Sequence, residues 1–129
     1  DLHSFPTRRS SDLVNIVNYD GRDIVKFGSL NIAGTADGET IYGGSGNDTI
    51  SGGDGADKIY GGAGDDNLYG GSASETGTNG EINEFYFNAS GNGTDTIWDS
   101  NYNDVIHIDV SKDAIEITQN GSELTIKYN

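Results

Sequence analysis

GTADGETIY (34–42), GGSGNDTIS (43–51), GGDGADKIY (52–60) and GGAGDDNLY (61–69), followed by Gly70-Gly71, form the stretch that decides the fold. The last three units satisfy G-G-x-G-x-D-x-U-x, with U a large aliphatic, at every specified position. The first is degenerate but keeps Gly34, an acid at Glu39 and Ile41 in register. A fixed internal period of this kind dictates the architecture before any local propensity does.

Each position has a physical role. Glycines let the backbone enter left-handed and close-approach conformations, so the first six residues can form a tight turn with inward-facing carbonyls. The last three then form a short strand. Ile41, Ile50, Ile59 and Leu68 recur every nine residues, too far apart for one helix face and separated by glycine pairs that break helices. They predict one inward residue per strand in a stack of short parallel strands.

Two units complete one coil, which lays loops eighteen residues apart over one another. Asp48 then stacks on Asp66, while Glu39, Asp57 and Glu75 line the opposite side. Strands lie about 4.7 Å apart. At that spacing two carboxylates repel by roughly 3–4 kcal/mol at an effective dielectric near 20. Several such pairs rival the whole stability of a small domain, ~5–15 kcal/mol. A hard divalent cation turns the repulsion into attraction, using carboxylates and carbonyls as oxygen ligands. With no Cys and no repeating His, calcium is preferred over zinc. A flexible acidic linker is the competing reading, but a linker has no reason to keep an aliphatic every ninth residue. Asp37, Asp54 and Asp65 lie at other loop positions and read as solvated charges.

The composition agrees. The chain has 129 residues, 20 Gly, one Pro, 33% hydrophobic residues, and 7 Lys+Arg against 21 Asp+Glu, a net charge of 7 − 21 = −14. That length fits one domain, but so few apolar side chains require something besides apolar burial to hold it together. A sequence pI near 4.1 argues against nucleic acid and anionic membrane surfaces as partners. No apolar run reaches the length of a membrane span, and the absence of Cys leaves the redox compartment unspecified.

On these residues the chain resembles the RTX, or haemolysin-type, calcium-binding repeat family, whose recognised mark is a glycine-rich nonapeptide of this form. The resemblance implies an all-β parallel β-roll, a right-handed solenoid, with each calcium held between two stacked loops. Carried over by position, Asp48 and Asp66 ligate one ion with the carbonyls of Gly43, Ser45, Gly62 and Gly64. Asp57 and Glu39 ligate a second with those of Gly34, Ala36, Gly53 and Gly55. Glu75 marks a third, weaker site, although Ala73 and Gly77 break the pattern there. Two to three ions are expected. The resemblance also implies a monomeric module of a larger, secreted bacterial protein. Such repeats stay unfolded at low cytosolic calcium, leave through type I secretion machinery and fold outside the cell or at its surface. Alternatives are the C-terminal piece of a serralysin-like protease or lipase, and a fragment of an adhesin.

The flanks are less regular. Residues 1–13 hold the only Pro and two of the seven basic residues, and SFPTRRSSDL (4–13) resembles a translated sequencing adapter. They are expected to be artefactual or a disordered leader, and His3 is no ligand. Residues 14–33 read as N-terminal strands or a cap, 34–71 as the roll, 72–84 as a polar loop insertion, and 85–129 as a C-terminal β cap. SGNGTDTIW (90–98) repeats the pattern with Gly91, Gly93, Asp95 and Ile97 in place. Asp95 is expected to ligate a peripheral ion with Asp99 or Asp104, or simply to brace a turn. Phe85-Tyr86-Phe87 and Trp98 are expected to form a hydrophobic lid over the end of the stack. AIEITQ and SELTIKY around Asn120-Gly121 predict a hairpin with Ile115, Ile117, Leu124 and Ile126 inward. His107, alone in a strand-like run, reads as structural. No zinc-protease, nucleophile-elbow or phosphate-loop motif is present in the sequence, so no catalysis is expected of this chain.

Overall fold

Short strands separated by glycine turns can bury their single aliphatic residues only by stacking on their neighbours, and this chain does so. The computed structural model describes residues 13–17, 28–71, 81–88, 92–98 and 103–129, of which 13–17 are described in backbone only. Eleven strands appear among them: β1 (Leu13–Val17), β2 (Ser29–Ala33), β3 (Thr40–Ser45), β4 (Thr49–Ser51), β5 (Lys58–Ala63), β6 (Asn67–Tyr69), β7 (Glu84–Asn88), β8 (Thr94–Trp98), β9 (Val105–Asp109), β10 (Ile115–Asn120) and β11 (Glu123–Tyr128). One sheet has the order β1-β2-β4-β6-β8-β11-β10 and the other β3-β5-β7-β9. From β2 to β9 the chain alternates between the sheets, and every pairing among these strands is parallel. The result is a β-solenoid. No helix among the described residues is long and apolar enough to cross a membrane.

The register follows the nine-residue period. Ile32, Ile50, Leu68 and Ile97 are successive partners in one sheet, and Ile41, Ile59, Phe85 and Ile106 in the other. Apart from the half-buried Ile106, these side chains join Leu30, Phe87 and Ile126 in a thin core between the sheets. Each fully buried aliphatic contributes roughly 1.5–3 kcal/mol.

Four features differ from the sequence expectation. First, β3 and β5 run on through Gly43-Gly44 and Gly61-Gly62, because Gly44 stacks in register on Gly62 and Ser45 on Ala63; the first residues of these units are strand rather than turn. Second, the coils do not stop at residue 71. Strands β7, β8 and β9 continue the parallel stack, so the capping part begins only with the β10–β11 hairpin. Third, Phe85 and Phe87 form no lid: strand alternation places them inside, at 0% and 2% exposure, and turns Tyr86 outward. Trp98 lies on the outer face, 38% exposed, where its Nε1 donates to Asn67 Oδ1 at 2.9 Å.

Fourth, Ile126 is buried, but Ile117 is 49% exposed. The β11 strand pairs antiparallel with β8, leaving β10 outermost in its sheet and beyond the last described strand of the facing sheet. Asn120 pairs with Glu123, so the two-residue turn is Gly121-Ser122, one residue later than expected, with Gly121 at φ 66°. Residues 1–12, which hold all of the adapter-like stretch except Leu13, lie outside the described residues.

Candidate metal centre

The sixth residue of each unit enters the next strand, and its carboxylate turns back into the coil. On one side, Leu30 N–H donates to Asp48 Oδ1 at 2.8 Å, Asp48 N–H to Asp66 Oδ1 at 2.8 Å, and Asp66 N–H to Asp95 Oδ1 at 3.0 Å. On the other side, Glu39 N–H donates to Asp57 Oδ1 at 2.8 Å, Asp57 N–H to Asn83 Oδ1 at 3.0 Å, and Asn83 N–H to Asp104 Oδ1 at 3.0 Å. Two columns of side chains therefore run along the solenoid, each link closing one coil onto the next.

Only one oxygen of each acid is used this way. Asp48, Asp57 and Asp66 are 0%, 0% and 1% exposed, and the Oδ2 atom of each is buried without a hydrogen-bond partner. Leaving such an acceptor unsatisfied costs about 1–3 kcal/mol, more when it is charged. The glycines explain how these oxygens are accommodated. A Cβ on Gly43 would come within 2.6 Å of Asp48 Oδ2, and one on Gly61 within 2.5 Å of Asp66 Oδ2. A Cβ on Gly52 would collide with both Asp57 Oδ2 and the Gly70 carbonyl oxygen. The first glycine of each unit is thus required for space. The second and fourth are required for conformation: Gly44, Gly53 and Gly62 have φ between 100° and 106°, and Gly46, Gly55 and Gly64 between 94° and 127°.

Electrostatics give the same picture. Burial pushes Asp48 up to about 7, against the lowering effect of the Leu30 N–H and with a further rise from Asp66. Burial likewise raises Asp57 to about 7, with the Glu39 N–H opposing it and the Glu39 and Glu81 charges adding to it. Asp66 rises to about 6 and Asp95 to about 7, in both cases mainly by burial. These are carboxylates that water alone does not stabilise as anions. Among the described residues no group of three or more His, Cys, Asp or Glu converges, so side chains alone do not complete a coordination shell. The available donors are carboxylate oxygens and the carbonyls of the stacked turns, with bare glycine Cα atoms leaving the room beside them. That oxygen-only set fits a hard cation of six to eight ligands, with the main chain supplying most of them.

The other expected ligands fall as follows. Gly43, Ser45, Gly62 and Gly64 lie in the stacked loops that flank Asp48 and Asp66, and Gly34, Ala36, Gly53 and Gly55 in those that flank Asp57. Glu39 is half-buried and turned onto its own loop, accepting from the Thr35 N–H at 3.1 Å and from the Thr35 hydroxyl. Asp95 continues the Asp48–Asp66 column, whereas Asp104 stands in the other one, so the structure does not bring these two together as a pair. Asp99 and Glu75 lie outside the described residues, and the place below Asp57 belongs to Asn83. The sequence reading missed Asn83 and Glu81. Phe85 occupies the U position of an x-U-x strand, and the sixth position two residues before it is Asn83; counting back from that strand would have found it.

A second periodic feature went unnoticed. The ninth residues of alternate units stack on the outer face: Tyr42 on Tyr60 (4.5 Å between centroids), Tyr60 on Tyr86 (4.4 Å) and Tyr86 on His107 (4.3 Å). Glu84 joins the end of the row, accepting from Tyr86 Oη at 2.6 Å and lying 2.6 Å from His107 Nε2. Its hydrogen bond pushes the Tyr86 hydroxyl up to about 12. His107 thus completes an aromatic stack.

The fold and its acid-lined turns define a β-solenoid of glycine-rich repeats with buried carboxylates. The family model of the RTX calcium-binding nonapeptide repeat matches this chain in four copies, over residues 42–74 and 90–107; these are RTX repeats of the haemolysin type, and such repeats bind calcium. No curated protein and no solved structure matches the chain.

Proposed function

We propose that this chain is a calcium-dependent folding module of a secreted bacterial protein. Asp48 and Asp66 hold one ion with main-chain oxygens of Gly43, Ser45, Gly62 and Gly64, and Asp57 anchors a second in the opposite turns. The observation that carries this reading is the set of three buried carboxylate oxygens without a partner, on Asp48, Asp57 and Asp66. Ligands that bind only the folded state stabilise it by mass action, about 2.7 kcal/mol per site at one hundred times the dissociation constant. In a low-calcium cytosol that contribution is absent and the buried carboxylates oppose folding. Outside the cell, at millimolar calcium, the balance reverses. Such a switch suits passage of an unfolded chain through a type I export channel followed by folding on the far side. The module is monomeric and structural, with any catalysis residing in other parts of its parent.

Far-UV circular dichroism of the chain in chelator and in millimolar calcium tests the reading. A coil-to-β transition on adding calcium is expected; a full β spectrum in chelator at neutral pH would refute the folding switch.

A further inference from the structure

We propose that two copies of this chain join at the hairpin end of the solenoid, in a lap joint where β10 of each copy pairs with β9 of the other. The single chain remains the folding unit, and the joint is an assembly of two folded units. It goes beyond the reading above and needs the folded solenoid, not a particular number of ions.

The two sheets end at different places. Beyond β8 one sheet continues through β11 and β10, whereas the facing sheet stops at β9. The end is therefore a step, with two strands overhanging on one side and nothing opposite them on the other. Among the described residues neither β9 nor β10 has a neighbouring strand on its outer side. Exposed edges are normally blunted by Pro, Lys or an inward-pointing charge. The strands VIHID and IEITQN contain no Pro and no Lys, and alternation turns their acids, Asp109 and Glu116, outward.

The side chains that face inward across the step supply a second, independent observation. Ile106 and Ile108 are the register partners of Phe85 and Phe87. The phenylalanines are 0% and 2% exposed, yet Ile108 is 38% exposed and Ile106 only half-buried. Ile117 pairs with the fully buried Ile126 but is itself 49% exposed. These three occupy core positions and lack the layer that covers the same positions in earlier coils, so covering them is favourable.

A second copy supplies that layer because the step is self-complementary. Half a turn about an axis along the strands, midway between the sheets, exchanges the two sheets and keeps each strand's direction. The overhang of each copy then fills the gap in the other. β10 runs parallel to β8, through two antiparallel pairings, and β9 runs opposite to β8 because the chain reverses between the sheets of a coil. The new β9–β10 pairs are therefore antiparallel, and the contact is isologous and closed. The same rotation preserves height along the strands, so Ile117 of one copy faces Ile117 of the other across sheets about 10 Å apart. A lone strand from a different protein could extend β9 but would leave the edge of β10 open.

Sedimentation equilibrium of the 129-residue chain in millimolar calcium, on samples with a β spectrum, tests this. A small joint pairs weakly, so the mass of two 13.6-kDa chains is expected at about 0.1 mM chain. Pairing should strengthen as added salt screens the net charge of −14, which opposes association. Ile117→Lys is half-exposed in the single chain but sets two ammonium groups against each other in the joint. It should leave the β spectrum unchanged and weaken pairing at least about hundredfold. Ile82→Lys, at an aliphatic just before β7 that is 51% exposed, should leave the pair intact. The chain has no Cys, so Ile117→Cys gives each copy one thiol, and a short bis-maleimide should link two copies there but not in Ile82→Cys. A single-chain mass for the unsubstituted protein overturns the joint, and so does a pair that Ile117→Lys leaves intact.

Discussion

At the level of single residues, each buried aspartate does two jobs with two oxygens. Oδ1 closes one coil onto the next through a main-chain N–H, and in Asp48, Asp57 and Asp66 Oδ2 is left buried without a partner, where the proposed ion would meet it. Asparagine can do only the first job, which separates the two experimentally. Asp66→Asn should stabilise the chain in chelator, by removing a buried charge, and destabilise it in calcium by the contribution of one ion, ~2.7 kcal/mol at one hundred times the dissociation constant. The folded fraction in chelator, by circular dichroism, and thermal unfolding in calcium measure this; a change of the same sign in both would separate Asp66 from the ion. The glycines separate similarly. Gly61→Ala meets Asp66 Oδ2 at 2.5 Å and should abolish one site. Gly121→Ala has open space around it but sits at φ 66°, so it should cost ~1–2 kcal/mol and leave the calcium count intact.

At the level of elements, the sequence was legible wherever the nine-residue spacing was unbroken. Asp48 over Asp66 and Glu39 over Asp57 follow from counting eighteen, and the structure links both pairs at that separation. Below Asp57 the count fails, because the insertion stretches the interval to 26 residues. Nine-residue counting then lands on Glu75 instead of Asn83. Phe85-Tyr86-Phe87 was opaque for another reason: three consecutive aromatics carry no period, and only the register of β7 on β5 shows that Phe85 takes the place of Ile59 in the next coil. The aromatic row was hidden because only its first step, Tyr42 to Tyr60, spans eighteen residues, while Tyr60 to Tyr86 spans 86 − 60 = 26 and Tyr86 to His107 spans 107 − 86 = 21. The placement of the phenylalanines has a consequence for stability. Phe85→Ala should cost ~3–5 kcal/mol through the cavity it leaves, whereas Trp98→Ala, on the outer face, should cost much less. Chemical denaturation in saturating calcium decides this, and the reverse order would restore the lid.

At the level of the whole molecule, the chain carries a net charge of −14, and among the described residues four acids are buried in the two columns. Asp48, Asp57 and Asp95 are each raised from 3.8 to about 7 and Asp66 to about 6. Between pH 4 and 7 the folded chain therefore binds more protons than the unfolded one. Unfolding stability without calcium must fall as pH rises through this window. Lowering the pH also brings the chain toward its pI of about 4.1 and weakens its self-repulsion, which acts in the same direction. In chelator, then, the fold should gain stability from pH 7.5 down to about pH 5, the reverse of ordinary acid denaturation. In calcium the dependence should invert, because protons compete with the ion for the same carboxylate oxygens and metal affinity drops with pH. In chelator the folded fraction, read by circular dichroism, should rise from pH 7.5 to pH 5, whereas denaturant titrations in calcium should show stability falling over the same range. A chain less stable in chelator at pH 5 than at 7.5 would mean that the buried carboxylates do not control folding. Opposite slopes would show protons and calcium stabilising one solenoid by neutralising the same buried carboxylates.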